Sequence, residues 1–116
     1  MIVMLVGAQV FSQGVNISLV SKLFQTGSIV GKVLDANDSD VNLVFASVVI
    51  KELEWEVETD NEGAFSFQLS PGNYTIEVAF IGYEVQEILL EVIGGEIARE
   101  MVLLQPLKFN QPNELN

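Results

Sequence analysis

Nearly all the side chains here that could do chemistry are carboxylates. Glu52, Glu54, Glu56, Glu58, Asp60 and Glu62 recur at every second position. A second acidic run, Asp35-Ala36-Asn37-Asp38-Ser39-Asp40, places side-chain oxygens at its first, fourth and sixth positions and, through Asn37 and Ser39, at its third and fifth, as the start of an EF-hand calcium loop does. Such groups serve three chemistries: cation binding, acid–base hydrolysis of glycosidic bonds, and electrostatic docking of a basic partner. Geometry separates them. Carboxylates two apart on a strand stand about 6.5–7 Å apart along the backbone, too spread to wrap a calcium ion at about 2.3–2.6 Å. The second run lacks the EF-hand glycine at its sixth position, which is Asp40, and the glutamate at its twelfth, which is Ala46. A glycosidase pair about 5–9.5 Å apart is easily found in a chain this acidic, but it needs a walled cleft around the sugar. A solvated acidic face, open to lysines of a partner, is the better reading. No catalytic, cofactor-binding or metal-binding residue is assigned, no cofactor is expected, and the chain reads as non-enzymatic.

What is missing supports this. There is no histidine and no cysteine, which removes the commonest general base, the commonest zinc ligand, the thiol nucleophile and every disulfide. Neither a G-x-S-x-G elbow, a P-loop nor G-x-G-x-x-G occurs. The net charge of −11 opposes binding to nucleic acid or to an anionic membrane surface, both of which attract Lys and Arg. Trp55, Tyr74 and Tyr83 could stack on sugar rings, yet Trp55 and Tyr74 fall in the apolar phase of their strands and read as core. Carbohydrate and calcium are therefore weaker candidates than a protein partner.

The elements that would carry these residues are strands. Phe65, Phe67 and Leu69 alternate with Ser66 and Gln68; Ser70-Pro71-Gly72-Asn73 interrupts; Tyr74, Ile76, Val78 and Phe80 then alternate with Thr75, Glu77 and Ala79. Period-two alternation on both sides of a Pro-Gly turn is a hairpin signal. Further strands read over about 28–34 (Ile29, Gly31 and Val33 on one face), 43–51 (Ala46, Val48 and Ile50 inward), 53–59 (Leu53, Trp55, Val57 and Thr59 against glutamates), 85–92 and 97–104. The polar run 35–40 reads as a loop. Asp60-Asn61-Glu62-Gly63 reads as a turn with Gly63 at positive φ. The alternation slips between Val85 and Ile88, which predicts a β-bulge near Gln86-Glu87. About seven short strands, with no helix after Gly27, predict an all-β, seven-stranded antiparallel β-sandwich with Phe65, Phe67, Ile76, Val78 and Phe80 in its core.

The segments SIVGKVLDA (28–36), ASVVIK (46–51), TDNEGAFSF (59–67), PGNYTIEVAFIGYE (71–84) and VQEILLEV (85–92) resemble, in order, a carboxypeptidase regulatory-like domain of the transthyretin-like sandwich type. The resemblance covers roughly residues 28–104 and implies an Ig-like Greek-key sandwich. It departs at Val44-Phe45, where the family commonly has Pro and Gly, and at Glu52, where it commonly has Gly. Transthyretin-like hydrolases of this architecture depend on histidines, which this chain lacks.

The amino terminus differs in kind. Residues 1–12 carry an apolar run from Ile2 to Val10, with Val10 and Ser12 placed as at a signal-peptidase site. They read as a signal peptide, though short and without a leading positive charge. Residues 13–27 read as a linker and 105–116 as a carboxy-terminal linker. Domains of the resembled family commonly extend TonB-dependent outer-membrane receptors at their amino termini, ahead of the plug, and the ending Asn113-Glu114-Leu115-Asn116 is similar to the lead-in of a TonB-interaction segment. The resemblance thus implies an accessory domain of an exported bacterial protein, in the periplasm or at the periplasmic face of the outer membrane. The alternatives are a small secreted binding module and the companion domain of a metallocarboxypeptidase.

Overall fold

The computed structural model describes residues 25–108 as eight strands in two sheets with no helix. In chain order they are β1 (Gly27–Asp35), β2 (Asp38–Asn42), β3 (Ser47–Ile50), β4 (Trp55–Glu58), β5 (Ala64–Leu69), β6 (Gly72–Ala79), β7 (Gln86–Val92) and β8 (Ile97–Leu104). The signal-peptide reading over 1–12, the linker up to residue 24 and the tail from 109 lie outside the described residues.

One sheet is built on β1. β5 pairs antiparallel with its first part, from Gly27↔Leu69 to Lys32↔Ala64, and β2 takes over at Leu34–Asp35. Along the other edge of β1 lies β8, parallel to it from Ser28↔Ile97 to Asp35↔Leu104. The second sheet has the order β4-β3-β6-β7, antiparallel throughout. Alternate residues of both sheets meet in one core. Ile29, Val33, Val48, Ile50, Ile76, Val78, Val102 and Leu104 are fully buried, with Phe65 and Phe67 beside them. Burial of each large aliphatic or aromatic side chain contributes about 1.5–3 kcal/mol. Gly31 lets the sheet close: a Cβ there would stand 2.5 Å from both the Glu100 carbonyl and the Phe65 ring.

The expected sandwich is present, with corrections. The strand count is eight because the polar run hides β2: Asp35 Oδ1 accepts the Asn37 and Asp38 N–H groups and turns β1 straight into it. The pairing is antiparallel except between β1 and β8. β5 and β6 are not a hairpin. They belong to different sheets, and Ser70-Pro71 is the corner between them, latched by the Tyr74 hydroxyl donating to the Ser70 carbonyl at 2.7 Å. Alternation reports which face meets the core, and both sheets face the same core, so a corner and a hairpin look alike in sequence.

No bulge interrupts β7, which stays in register with β6 from Val78↔Gln86 to Gly72↔Val92. Val85 simply precedes the strand, exposed. The strand expected over 43–51 shrinks to β3 because Phe45 adopts φ 64° in the turn before it. That is the position where the resembled family commonly has glycine. The strand expected over 53–59 shrinks to β4, and Leu53 and Glu54 fall in the preceding turn, Glu54 at φ 51°. Trp55, read as core, is 40% exposed because β4 is a short edge strand; its ring packs nearly perpendicular to Phe67, centroids 5.0 Å apart. Phe80 packs against the core without full burial.

Candidate functional site

The acidic residues do not gather around a point. Glu52 leaves the expected ladder: its carboxylate accepts the Thr75 amide and hydroxyl, both at 2.8 Å. These bonds hold its pKa below the ordinary value. Asp60 Oδ1 accepts the Ala64 and Glu62 N–H groups at 2.9 and 2.8 Å, which lowers its pKa likewise. Gly63 completes this turn at φ 74°, as its spacing predicts. In the 35–40 run the carboxylates also bind backbone, Asp38 Oδ1 accepting the Asp40 N–H at 3.1 Å. Oxygens spent on amides are poor cation ligands, and no group of three potential ligands converges among the described residues.

The remaining glutamates form a surface. The registers place Glu56, Val49, Glu77 and Glu87 in one row across all four strands of the β4-β3-β6-β7 sheet, on its outer face. Lys51 bonds Glu87 at 2.6 Å, the only ion pair among the described residues. Glu87, with help from Glu77 and Glu52, keeps the Lys51 amine protonated above its usual range. A depression of about 340 Å³ lies beside this row, lined by Glu52, Thr75, Leu89 and Glu91 among others. The opposite outer face is different. Along β1, β5 and β8 the outward phase carries Lys32, Arg99, Ser66 and Gln68 with Val30, Ile97 and Met101, and no carboxylate. A groove of about 430 Å³ runs between Val30, Lys32, Arg99 and Met101.

The three polar aromatics do not assemble into a sugar platform. Trp55 sits on β4 and Tyr74 at the β5–β6 corner, while Tyr83 donates to Asp35 Oδ2 at 2.5 Å. That last bond is one the sequence does not announce. It pulls the Asp35 pKa down and the Tyr83 pKa up. Around it, Glu84 N–H donates to the Gln105 carbonyl at 2.8 Å and Leu107 N–H to the Gly82 carbonyl at 2.9 Å, so residues 105–107 are fastened to the β6–β7 loop.

What the arrangement offers is a pair of faces of unlike charge and, among the described residues, unpaired strand edges at β7 and β8, which suit binding. Sequence reasoning missed Arg99, Met101 and Leu89 as surface features. The signal was in 97–104, where Ile97, Met101 and Leu103 occupy one phase and Ala98, Val102 and Leu104 the other, the pattern of a strand apolar on both faces although one is exposed.

A comparison with protein families matches residues 29–111 to the CarboxypepD_reg-like domain. The chain belongs to that family. CarboxypepD_reg-like membership and the sandwich together support a non-enzymatic accessory domain. No curated protein matches the chain. Among solved structures, the Bacillus anthracis TIE protein is similar at 25% identity and TM-score 0.57, over 72% of this chain and 18% of that one. A minor pilin of Streptococcus agalactiae matches at 14% identity and TM-score 0.57, over 76% and 48%. A type II cohesin–X–dockerin complex of Acetivibrio cellulolyticus matches at 17% identity and TM-score 0.53, over 67% and 56%. The last two likenesses are of fold. The chain spans from about a fifth to just over half the length of these structures.

Proposed function

We propose that this CarboxypepD_reg-like domain is a docking module of an exported bacterial protein, the amino-terminal periplasmic extension of a TonB-dependent outer-membrane receptor. The observation that carries the reading is the match over residues 29–111, on a surface that among the described residues presents open strand edges and segregated charge. The mechanism is recruitment: an unpaired edge adds a strand from a partner through main-chain hydrogen bonds, while alternate side chains select it. The signal-like residues 1–12 and the NELN ending supply the export and receptor parts of the reading.

Mass spectrometry of the protein recovered from fractionated cells tests export. The expected envelope species begins at about Gln13. Retention of Met1 in exported protein would reject cleavage, and purely cytosolic protein would reject export and the receptor with it.

A further inference from the structure

Among the described residues, β7 bonds only to β6 and β8 only to β1, so each presents an unpaired edge. Residues 93–96 alone connect them. Four residues span at most about 14 Å and packed sheets lie about 10 Å apart, so the two edges lie one above the other on the same side of the sandwich and run in opposite directions. Their outward side chains differ in sign. β7 shows Glu87, Leu89 and Glu91, with Leu89 80% exposed; β8 shows Arg99 between Ile97 and Met101, the latter 60% exposed.

We propose that this side is the interface of a symmetric dimer of the chain, in which β7 of each copy pairs antiparallel with β8 of the other. Charge selects the second copy and the symmetry. A two-fold axis perpendicular to the sheets would lay β7 on β7 and, centred on Leu89, set Glu87 of each copy against Glu91 of the other, which like-charge pairing disfavours. An axis parallel to the strands lays β7 on β8 and continues the acidic sheet of one copy into the β8, β1 and β5 strands of the other, whose outward phase carries no carboxylate. That axis also sets the register. The 93–96 turn, closed by the Glu96 N–H donating to the Ile93 carbonyl, brings Val92 and Ile97 near one level, and rotation about the axis keeps levels. Matching outward phase to outward phase offsets the pairing by one residue. Of the two offsets, the one that joins opposite charges sets Glu91 against Arg99 of the second copy and Leu89 against Met101. Glu87 is already occupied by Lys51, leaving Glu91 for the intermolecular pair.

The seam needs covering. Ile88, Leu90 and Ala98 point inward yet are only partly buried, because their strands are edges; the added strands would cover them. Such an isologous contact closes on itself and does not propagate into fibres. Glu100, in the inward phase of β8 and half-buried, opposes the contact, since an inward charge guards an edge against pairing. It supplies a variant that should strengthen the dimer. The inference goes beyond the docking role and does not depend on export.

The test is sedimentation of the full chain across micromolar to millimolar concentrations, with circular dichroism showing that each variant is folded. The wild type should dimerise. Glu91→Arg and Arg99→Glu should each raise the dissociation constant at least about tenfold, because symmetry removes the pair twice and like charges then face each other. The double exchange should restore dimerisation, and Glu100→Leu should strengthen it. A wild type that stays monomeric, or a dimer indifferent to these exchanges, overturns the proposal. So does concentration-independent protection of the β8 amides from hydrogen exchange, which would mean that residues 13–24 of the same chain fill the edge, or binding of a foreign strand to β8 without self-association.

Discussion

At the scale of single residues the structure rests on polar side chains that serve the backbone. Thr59, 1% exposed, donates to the Leu43 carbonyl and accepts the Ala46 N–H at 2.8 Å. It satisfies two groups that the late start of β3 would leave unpaired in the interior, each at a cost of about 1–3 kcal/mol. Asp35 does comparable work at the surface, accepting two turn amides and the Tyr83 hydroxyl. The pH dependence of this lock follows from the directions of the shifts. The Asp35 pKa is depressed below 3.8, chiefly by Tyr83, so its contribution is complete above the unfolded carboxyl value and is lost as pH falls through the folded one. The Tyr83 pKa is raised above 10.0, so its contribution is complete below that value and is lost as pH rises through the folded one. Tyr83→Phe should therefore return the Asp35 pKa toward its ordinary value and lower the thermal midpoint at neutral pH, with the difference from wild type shrinking under strong acid. An Asp35 carboxyl that titrates in the variant where it does in the wild type, followed by NMR, would show that Tyr83 does not hold it.

At the scale of elements, inward phases were readable and partners were not. Phe65, Phe67, Leu69, Ile76 and Val78 are buried as their alternation predicts, because a pleated strand with one face in the core records that face in its sequence. Nothing in the alternation records which strand lies alongside. The β5–β6 corner therefore reads as a hairpin, and the parallel contact of β1 with β8, far apart in sequence, leaves no trace. β2 was invisible for a different reason: it has no buried residue, its strand being all but exposed. The candidate site was legible where local turn chemistry decided it, at Asp60 and Gly63. It was illegible at Tyr83 and Arg99, whose surroundings come from distant segments. Phe67 tests the packing of the two sheets, since it sits 3% exposed between β1 and the Trp55 ring. Phe67→Ala should destabilise the domain by about 3–5 kcal/mol through lost burial and a residual cavity. A loss under about 1 kcal/mol in urea unfolding would show that this face does not form the core.

At the scale of the whole molecule, a chain with formal charge −11 keeps carboxylates off the outward phase of β1, β5 and β8 while setting Glu56, Glu77 and Glu87 in one row on the other sheet. Like charges on neighbouring strands cost stability. A row of them is understandable on a surface that meets a partner, where unlike faces set orientation and suppress wrong contacts. The central proposal is that the CarboxypepD_reg-like domain acts by docking through these surfaces. The most direct measurement removes residues 28–104 from the gene of the proposed receptor and follows uptake or signalling beside substrate binding at the outer membrane. The account predicts that uptake or signalling falls while substrate binding stays largely intact. Unchanged uptake and signalling, or substrate binding lost together with the domain, would contradict it.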